Sequence, residues 1–92
     1  MTAPKTDDYA LDSLIALARD EAPTAEEMVI AVIRRAVANG LFVPGERLPQ
    51  DRLARLLHVS RQPIRAALRQ LESEGLVEMH PNRGAAVRAL SP

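Results

Sequence analysis

Apolar residues recur at helical spacing in the second half of the chain and define one helix with two contrasting faces. Ile64, Leu68 and Leu71 fall at positions i, i+4 and i+7, which places them on one side of a helix. A different side carries basic residues at i, i+4 and i+8, namely Arg61, Arg65 and Arg69. One face therefore suits a hydrophobic core and the other suits anions. The pattern predicts a helix over residues 61–74, with Gly75 in the left-handed position that ends it.

The preceding residues predict a shorter helix and a tight turn. The short helix begins at Pro49 or Gln50 and continues to Leu57, with its leucines facing inward. His58 lies between the two helices, in a turn that commonly needs a residue with positive φ. Histidine is one of the few non-glycine residues enriched in that conformation. Two helices joined in this way indicate a helix-turn-helix.

The longer helix has a capped start at Ser60. A serine at the N-cap uses its hydroxyl to accept a hydrogen bond from a backbone N–H of the first turn. Pro63 has no N–H, but at the third helical position this loss removes no intrahelical bond. We therefore expect the Ser60 hydroxyl to accept a hydrogen bond from the N–H of Gln62.

The N-terminal residues predict an additional helix outside the helix-turn-helix. Residues 1–8 have the composition of a disordered lead, residues 8–20 form an amphipathic pattern, and Glu21-Ala22-Pro23 ends it. Three interpretations of this helix are open: it packs on the domain's own surface, it dimerises or binds a partner, or it is a loosely ordered arm. Residues 1–23 are thus predicted to be an N-terminal arm with an extra helix.

Residues 24–90 are predicted to form one small domain. Thr24-Ala25-Glu26-Glu27 is a capping box that opens a helix, and Asn39-Gly40 ends it. Arg34 and Arg35 on this helix are interpreted as solvent-facing, with a phosphate contact as the alternative.

The remaining residues of this domain predict a small sheet. Pro44-Gly45 is a turn signal, and Arg47-Leu48 after it is a short edge strand. Residues 76–80 and 85–90 alternate as two strands, joined by a turn. The predicted fold is mainly α with a small β-hairpin: a winged helix-turn-helix plus an extra N-terminal helix.

Charge is segregated along the chain although the net charge is zero. Residues 1–46 carry four cations and eight acids, whereas residues 47–92 carry eight arginines and four acids. From Arg52 to Leu71 there are five arginines and no acid. Arginine favours bidentate contacts with phosphates and guanine edges. The asymmetry therefore indicates nucleic-acid binding by the second half.

The composition argues against several other classes of function. There is no cysteine, and the two aromatic residues are too few to stack on single-stranded bases. His58 and His80 are too far apart in sequence to indicate a metal site, and no catalytic or cofactor-binding constellation is present. We expect no enzyme activity, no cofactor and no metal. Neither a membrane-spanning run nor a signal-peptide pattern occurs, so we expect a cytoplasmic protein.

Several spaced blocks resemble the DNA-binding domain of the GntR family of bacterial transcription regulators. The resemblance spans residues 24–90 and rests on residues 40–48, 53–54, 59–68, 71–77 and 82–87. Its core is Val59-Ser60-Arg61-Gln62-Pro63-Ile64-Arg65. This core and the spacing after Leu48 are most similar to the FadR-like branch, whose members usually respond to acids or sugar acids.

The resemblance implies a winged helix that contacts DNA at two places. The recognition helix, residues 61–74, is implied to enter the major groove, and the wing, residues 80–86, to reach the minor groove. The implied contacts at the helix start are Ser60, Arg61, Gln62 and Arg65. The implied wing contacts are Asn82, Arg83 and Gly84. Two further arginines, Arg47 and Arg52, are implied to contact the DNA backbone.

The chain departs from the family pattern at three points. His58 stands where the family usually has glycine, and Ala66 stands where it usually has glutamate. Family members also usually carry a larger C-terminal domain that binds an effector, whereas this sequence ends at Pro92. We expect either a separated DNA-binding domain or a short form.

The expected function is sequence-specific binding of double-stranded DNA as a bacterial transcription regulator of the repressor type. Arginine suits guanine O6 and N7, and glutamine suits adenine N6 and N7. One small winged helix reads few base pairs, so we expect a homodimer on a pseudo-palindromic operator. The alternative is a winged-helix protein-interaction module whose arginines face an acidic partner, without sequence-specific DNA binding.

Overall fold

A computed structural model describes residues 6–81 and 84–88, with side chains on the first helix from Asp12 onward. Its elements are, in chain order, α1 (Thr6–Glu21), α2 (Ala25–Ala38), β1 (Arg47–Leu48), α3 (Gln50–Leu57), α4 (Arg61–Ser73), β2 (Val77–His80) and β3 (Gly84–Val87). The predicted fold class is confirmed. Helix α1 begins at Thr6, two residues before the predicted start. The prediction of a disordered lead is therefore wrong for residues 6–8, and residues 1–5 lie outside the described part.

The three strands form one antiparallel sheet in the order β1-β3-β2. Leu48 pairs with Ala85 on one side of β3, and Val77 pairs with Val87 on the other. Strand β1 is therefore the short edge strand that the sequence predicted. The loop before it also pairs with β3, because the N–H of Val87 donates to the carbonyl of Glu46 at 2.8 Å.

Helix α2 lies at the centre of the core. Its side chains Val29, Val32, Ile33 and Ala36 have no more than a trace of exposed surface. Their helical spacing creates one continuous apolar stripe, against which α1 and α4 both pack. The predicted capping bond is confirmed, since the hydroxyl of Thr24 accepts from the N–H of Glu27 at 3.1 Å.

Helix α1 packs against α2, which is the first of the three interpretations. Leu14, Ile15 and Ala18 are buried in the shared core, whereas Leu17 remains 52% exposed. The apolar face of α1 is thus used within the chain. No helix in the described part is long and apolar enough to cross a membrane.

Helix α4 buries the apolar face that the sequence predicted. Ile64, Ala67, Leu68 and Leu71 are fully buried beneath it. The helix ends at Ser73, one residue before the predicted end, and Gly75 follows with φ of 82°.

The capping bond predicted for Ser60 is wrong. Ser60 has the extended backbone of an N-cap residue, but its side chain makes no capping hydrogen bond. Pro63 leaves the N–H of Gln62 as the donor within reach, and at an exposed position a bond to that N–H gains little over a bond to water. The hydroxyl is left on the exposed surface at the start of α4.

Candidate nucleic-acid interface

The outer face of α4 is basic and open to solvent. Arg61, Gln62, Arg65 and Arg69 are exposed, and together with Ala66 they line one shallow groove along the helix. Since the opposite face is fully buried, the core determines that this face of α4 points to solvent. A rigid helix therefore presents guanidinium groups at successive turns to anything that docks there.

The turn before α4 determines where that helix begins. His58 has φ of 56° and ψ of 46°, the left-handed conformation expected from its position in the sequence. The N–H of Val59 donates to the carbonyl of Ala54 at 3.0 Å, and the N–H of His58 donates to that of Arg55 at 3.3 Å. These bonds close α3 and redirect the chain into α4.

A second depression joins the start of α4 to α3 and the sheet, and we call it the basic cleft. Its lining includes Arg47 from β1, Arg61 and Arg65 from α4, and Gly84 from β3. Gly84 has φ of 79°, and a Cβ added there would lie 3.7 Å from Nε2 of Gln50 at the start of α3. Four of the predicted contact residues, contributed by three elements, thus share one surface.

An acid is also present in the basic cleft. A carboxylate oxygen of Asp51, in the first turn of α3, lies 3.0 Å from the Nη2 atom of Arg61. Both side chains remain about two-thirds exposed, at 70% and 66%. The sequence analysis did not predict this pair, because the two residues are ten positions apart. Arg61 is therefore held toward α3.

Other predicted site residues lie outside the basic cleft. Ser60 lines a separate depression with Gln62, Pro63, Ala66 and Glu26 of α2. Arg52 is half-buried in α3 and is engaged with another group of the protein.

Two predicted wing residues, Asn82 and Arg83, lie outside the described residues. Among the described residues, His80 of β2 and Gly84 of β3 form the register pair that flanks them in sequence. His80 is exposed, 3.4 Å from a carboxylate oxygen of Glu78, and shares a depression with Arg47.

Arg55 lies beside the Asp51–Arg61 pair, although it was not among the contact residues predicted from the sequence. It is exposed on α3 and lines a depression with Ala54, Asp51 and Arg61. The signal in the sequence was its place in the segment of arginines without acids from Arg52 to Leu71.

At the C-terminal end of α4, an acid pairs with an arginine of α2. Arg34 of α2 forms an ion pair with Glu74, and this contact, together with a hydrogen bond from Gln70, holds the pKa of the Glu74 carboxyl below its ordinary value. Arg35 of α2 pairs with Glu21 at 2.6 Å. Both arginines keep much of their side chain in solvent, at 53% and 39% exposed, as the sequence predicted, and their ion pairs also join α2 to its neighbours.

Comparison with known proteins agrees with the geometry. The model of the family described as bacterial regulatory proteins, gntR family, matches residues 25–87. The chain belongs to this family. It is 32% identical over 65 residues to the HTH-type transcriptional repressor RspR of Escherichia coli K12, covering 71% of this chain and 28% of that protein.

Solved structures extend the comparison. A GntR-family transcriptional regulator from Pseudomonas syringae is 31% identical, with a TM-score of 0.65 over 98% of this chain and 39% of that one. The DNA-binding domain of AraR, in complex with operator ORX1, is 26% identical, with a TM-score of 0.67 over 74% of this chain and 83% of that one.

The chain spans only part of its curated relatives. Its share of the first two is 26% and 48% of their length. These relatives are named as helix-turn-helix transcription regulators. The chain therefore carries the helix-turn-helix DNA-binding domain of a GntR-type regulator, a class of protein that is not an enzyme.

Proposed function

We propose that this domain reads a specific double-stranded DNA sequence through α4. The observation that carries the proposal is the basic cleft, in which Arg47, Arg61 and Arg65 from two separate elements converge at the exposed start of a helix whose opposite face is buried. A helix-turn-helix presents the N-terminal residues of its second helix to base edges in the major groove. The operator complex of the AraR domain supports DNA as the ligand class.

The residues of α4 are proposed to divide between base contact and backbone contact. Arg61 and Arg65 lie in the first turns, where guanine O6 and N7 come within reach, and Gln62 suits adenine. Arg69 lies two turns beyond Arg61, and we assign it to the DNA backbone or to solvent.

The proposed backbone contacts come from around α4. Arg47 in β1 and Arg52 in α3 are assigned to phosphates, and the exposed hydroxyl of Ser60 to a phosphate at the helix start. Since arginine side chains supply these contacts, affinity should fall steeply with salt.

The wing is proposed to make the second contact. Asn82 and Arg83 follow β2, so an arginine there is assigned to the narrow, electronegative minor groove. Gly84 has no side chain, which lets the backbone at the base of the wing approach the sugar-phosphate rail.

The assembly on DNA is proposed to contain two copies of the domain. One recognition helix reads only a few base pairs, so a pseudo-palindromic operator read by a homodimer supplies adequate specificity. Repression is the proposed outcome, supported by the naming of RspR as a repressor.

We assign the chain to the FadR-like branch and to the cytoplasm, where bacterial DNA lies. Within it, residues 24–90 are proposed to form the DNA-binding unit and residues 1–23 an added arm.

Arg65→Ala tests the proposal, with Arg69→Ala as the matched control on the same helix face. The ligands are a duplex selected by the chain from a random pool and a random duplex of equal length. Loss of one bidentate base contact should weaken the selected duplex by about 5-fold to 150-fold and random DNA far less. Arg69→Ala should weaken both by the same small factor.

Equal losses on both duplexes would reduce Arg65 to a backbone contact. Binding of the wild-type chain that does not change between two salt concentrations would contradict the phosphate contacts altogether. That second result would favour the alternative of a protein-interaction module with an acidic partner.

A further inference from the structure

Helix α1 lies outside the residues matched by the family model, yet it contacts the helix-turn-helix directly. The match begins at residue 25, after α1 has ended at Glu21. From the last turn of α1, the Nη2 atom of Arg19 donates to the carbonyl of Leu57 at 3.3 Å, in a partly buried contact. Leu57 is the final residue of α3, immediately before the His58 turn.

The contact provides a hydrogen-bond donor for the C-terminal end of α3. The last four carbonyls of a helix have no partner within it, and the negative end of its dipole favours a cation. Bonds from His58 and Val59 go back to the carbonyls of Ala54 and Arg55, one turn earlier. Arg19 thus supplies a charged donor to the carbonyl that the turn's own amides do not reach in these bonds.

The position of the contact couples α1 to the orientation of α4. Only His58, Val59 and Ser60 separate Leu57 from the start of α4. Helix α1 is itself fixed to α2 by the buried residues Leu14, Ile15 and Ala18. The guanidinium of Arg19 therefore connects the packed pair of α1 and α2 to the His58 turn, which sets the orientation of α4.

We infer that Arg19 is a positioning residue for DNA reading, and that α1 is a brace which holds the helix-turn-helix turn in its binding geometry. This inference rests on the proposed function of α4. Base readout requires a fixed helix angle, whereas contact with phosphates of random DNA tolerates a range of angles. A turn ordered before binding also lowers the ordering cost of the specific complex.

The test compares Arg19→Ala with Arg35→Ala. Each substitution removes one cation from the last turn of a helix, Arg19 from α1 and Arg35 from α2. The Arg35 side chain contacts α1 through its ion pair with Glu21. Only Arg19 reaches the turn. We expect Arg19→Ala to weaken a duplex selected from a random pool by about threefold to tenfold, the size of a cation's contact with a helix C-terminus, and to leave random DNA within about twofold. Arg35→Ala should leave the ratio of the two affinities unchanged.

Two further measurements separate positioning from general stability and from a phosphate contact. Amide hydrogen exchange of Val59 should accelerate in Arg19→Ala, while the core amides of α2 keep their protection. The salt dependence of binding should keep its slope, because no phosphate contact is lost. Arg19→Lys should restore the affinity ratio, since one donor and the charge suffice for a single carbonyl.

The inference is overturned if Arg19→Ala and Arg35→Ala shift the affinity ratio alike, or if the slope falls by about one phosphate contact in Arg19→Ala. If the wild-type chain selects no duplex over random DNA, the proposed function fails instead. The amide exchange of Val59 then tests separately whether α1 holds the turn. Unchanged exchange in Arg19→Ala overturns that claim, and faster exchange supports it.

Discussion

Asp51→Asn is the substitution for which the structure predicts opposite effects on stability and on binding. Asp51 is the only acid among the described residues that line the basic cleft. Its carboxylate lies 3.0 Å from Nη2 of Arg61, and under the proposed binding of DNA in the basic cleft it would face phosphates. Asparagine keeps the shape of the side chain and removes the charge.

The loss of folding stability should be small. Two unit charges at 3.0 Å attract by about 1.4 kcal/mol in water, and exposure of both side chains reduces this below about 1 kcal/mol. Asp51 also lies in the first turn of α3, where a negative charge favours the helix dipole. We expect the free energy of unfolding to fall by about 1 kcal/mol or less, measured by urea denaturation.

Binding should change in the other direction for random DNA. A freed Arg61 adds about one phosphate contact, so random-DNA affinity should rise by roughly threefold to tenfold and its salt slope should steepen by about 0.9. Discrimination for the selected duplex should fall by about the same threefold to tenfold, because the added phosphate contact of Arg61 does not depend on base sequence. Fluorescence anisotropy at several salt concentrations measures all three quantities.

Asp12→Asn is the control, since Asp12 is an exposed acid on α1, away from the basic cleft. A rise in random-DNA affinity of the same size in this control would attribute the effect to overall charge. A fall in random-DNA affinity for Asp51→Asn would refute the reasoning, because the carboxylate would then support binding.

Two further changes test the turn and the far end of α4. His58→Gly should stabilise the fold by up to about 1 kcal/mol in urea denaturation, since glycine adopts positive φ without strain but gains freedom when unfolded; a destabilised variant would mean that the imidazole itself holds the turn. Arg34→Ala should lower the Tm at pH 6 more than at pH 3. Arg34 holds the pKa of Glu74 below 4.5, so its contribution is complete above that pH and is lost as pH falls through the folded pKa. A Tm difference that does not vary with pH would contradict this assignment.

The sequence predicted the features that depend on local spacing. The buried face of α4, the positive φ of His58 and the edge strand at Arg47 each follow from a pattern within a few residues. The contacts between Asp51 and Arg61, and between Arg19 and Leu57, join residues 10 and 38 positions apart. No local pattern encodes such pairs, because they depend on how helices pack.

The missing cap at Ser60 shows a different limit of sequence reasoning. The residue type and its place before α4 were correct, and the backbone at Ser60 is extended, as an N-cap residue requires. Pro63 removes one donor, but which remaining N–H the hydroxyl approaches depends on its rotamer. An exposed hydroxyl gains little from a single bond over one to water, so the type of residue alone does not determine the contact.

The net charge of zero has a consequence for how the domain finds DNA. Acids lie mainly on α1 and the first turn of α2, while arginines line the start of α4 and the basic cleft. Beyond a screening length of about 8 Å at physiological salt, the molecule offers DNA little net attraction. Under the proposed function, affinity then comes from short-range contacts such as those assigned to Arg61 and Arg65, which require that α4 is correctly oriented. A domain charged in this way is therefore expected to depend on the geometry of its turn more than a uniformly basic one does, and Arg19 and Asp51 are the residues proposed to control that geometry.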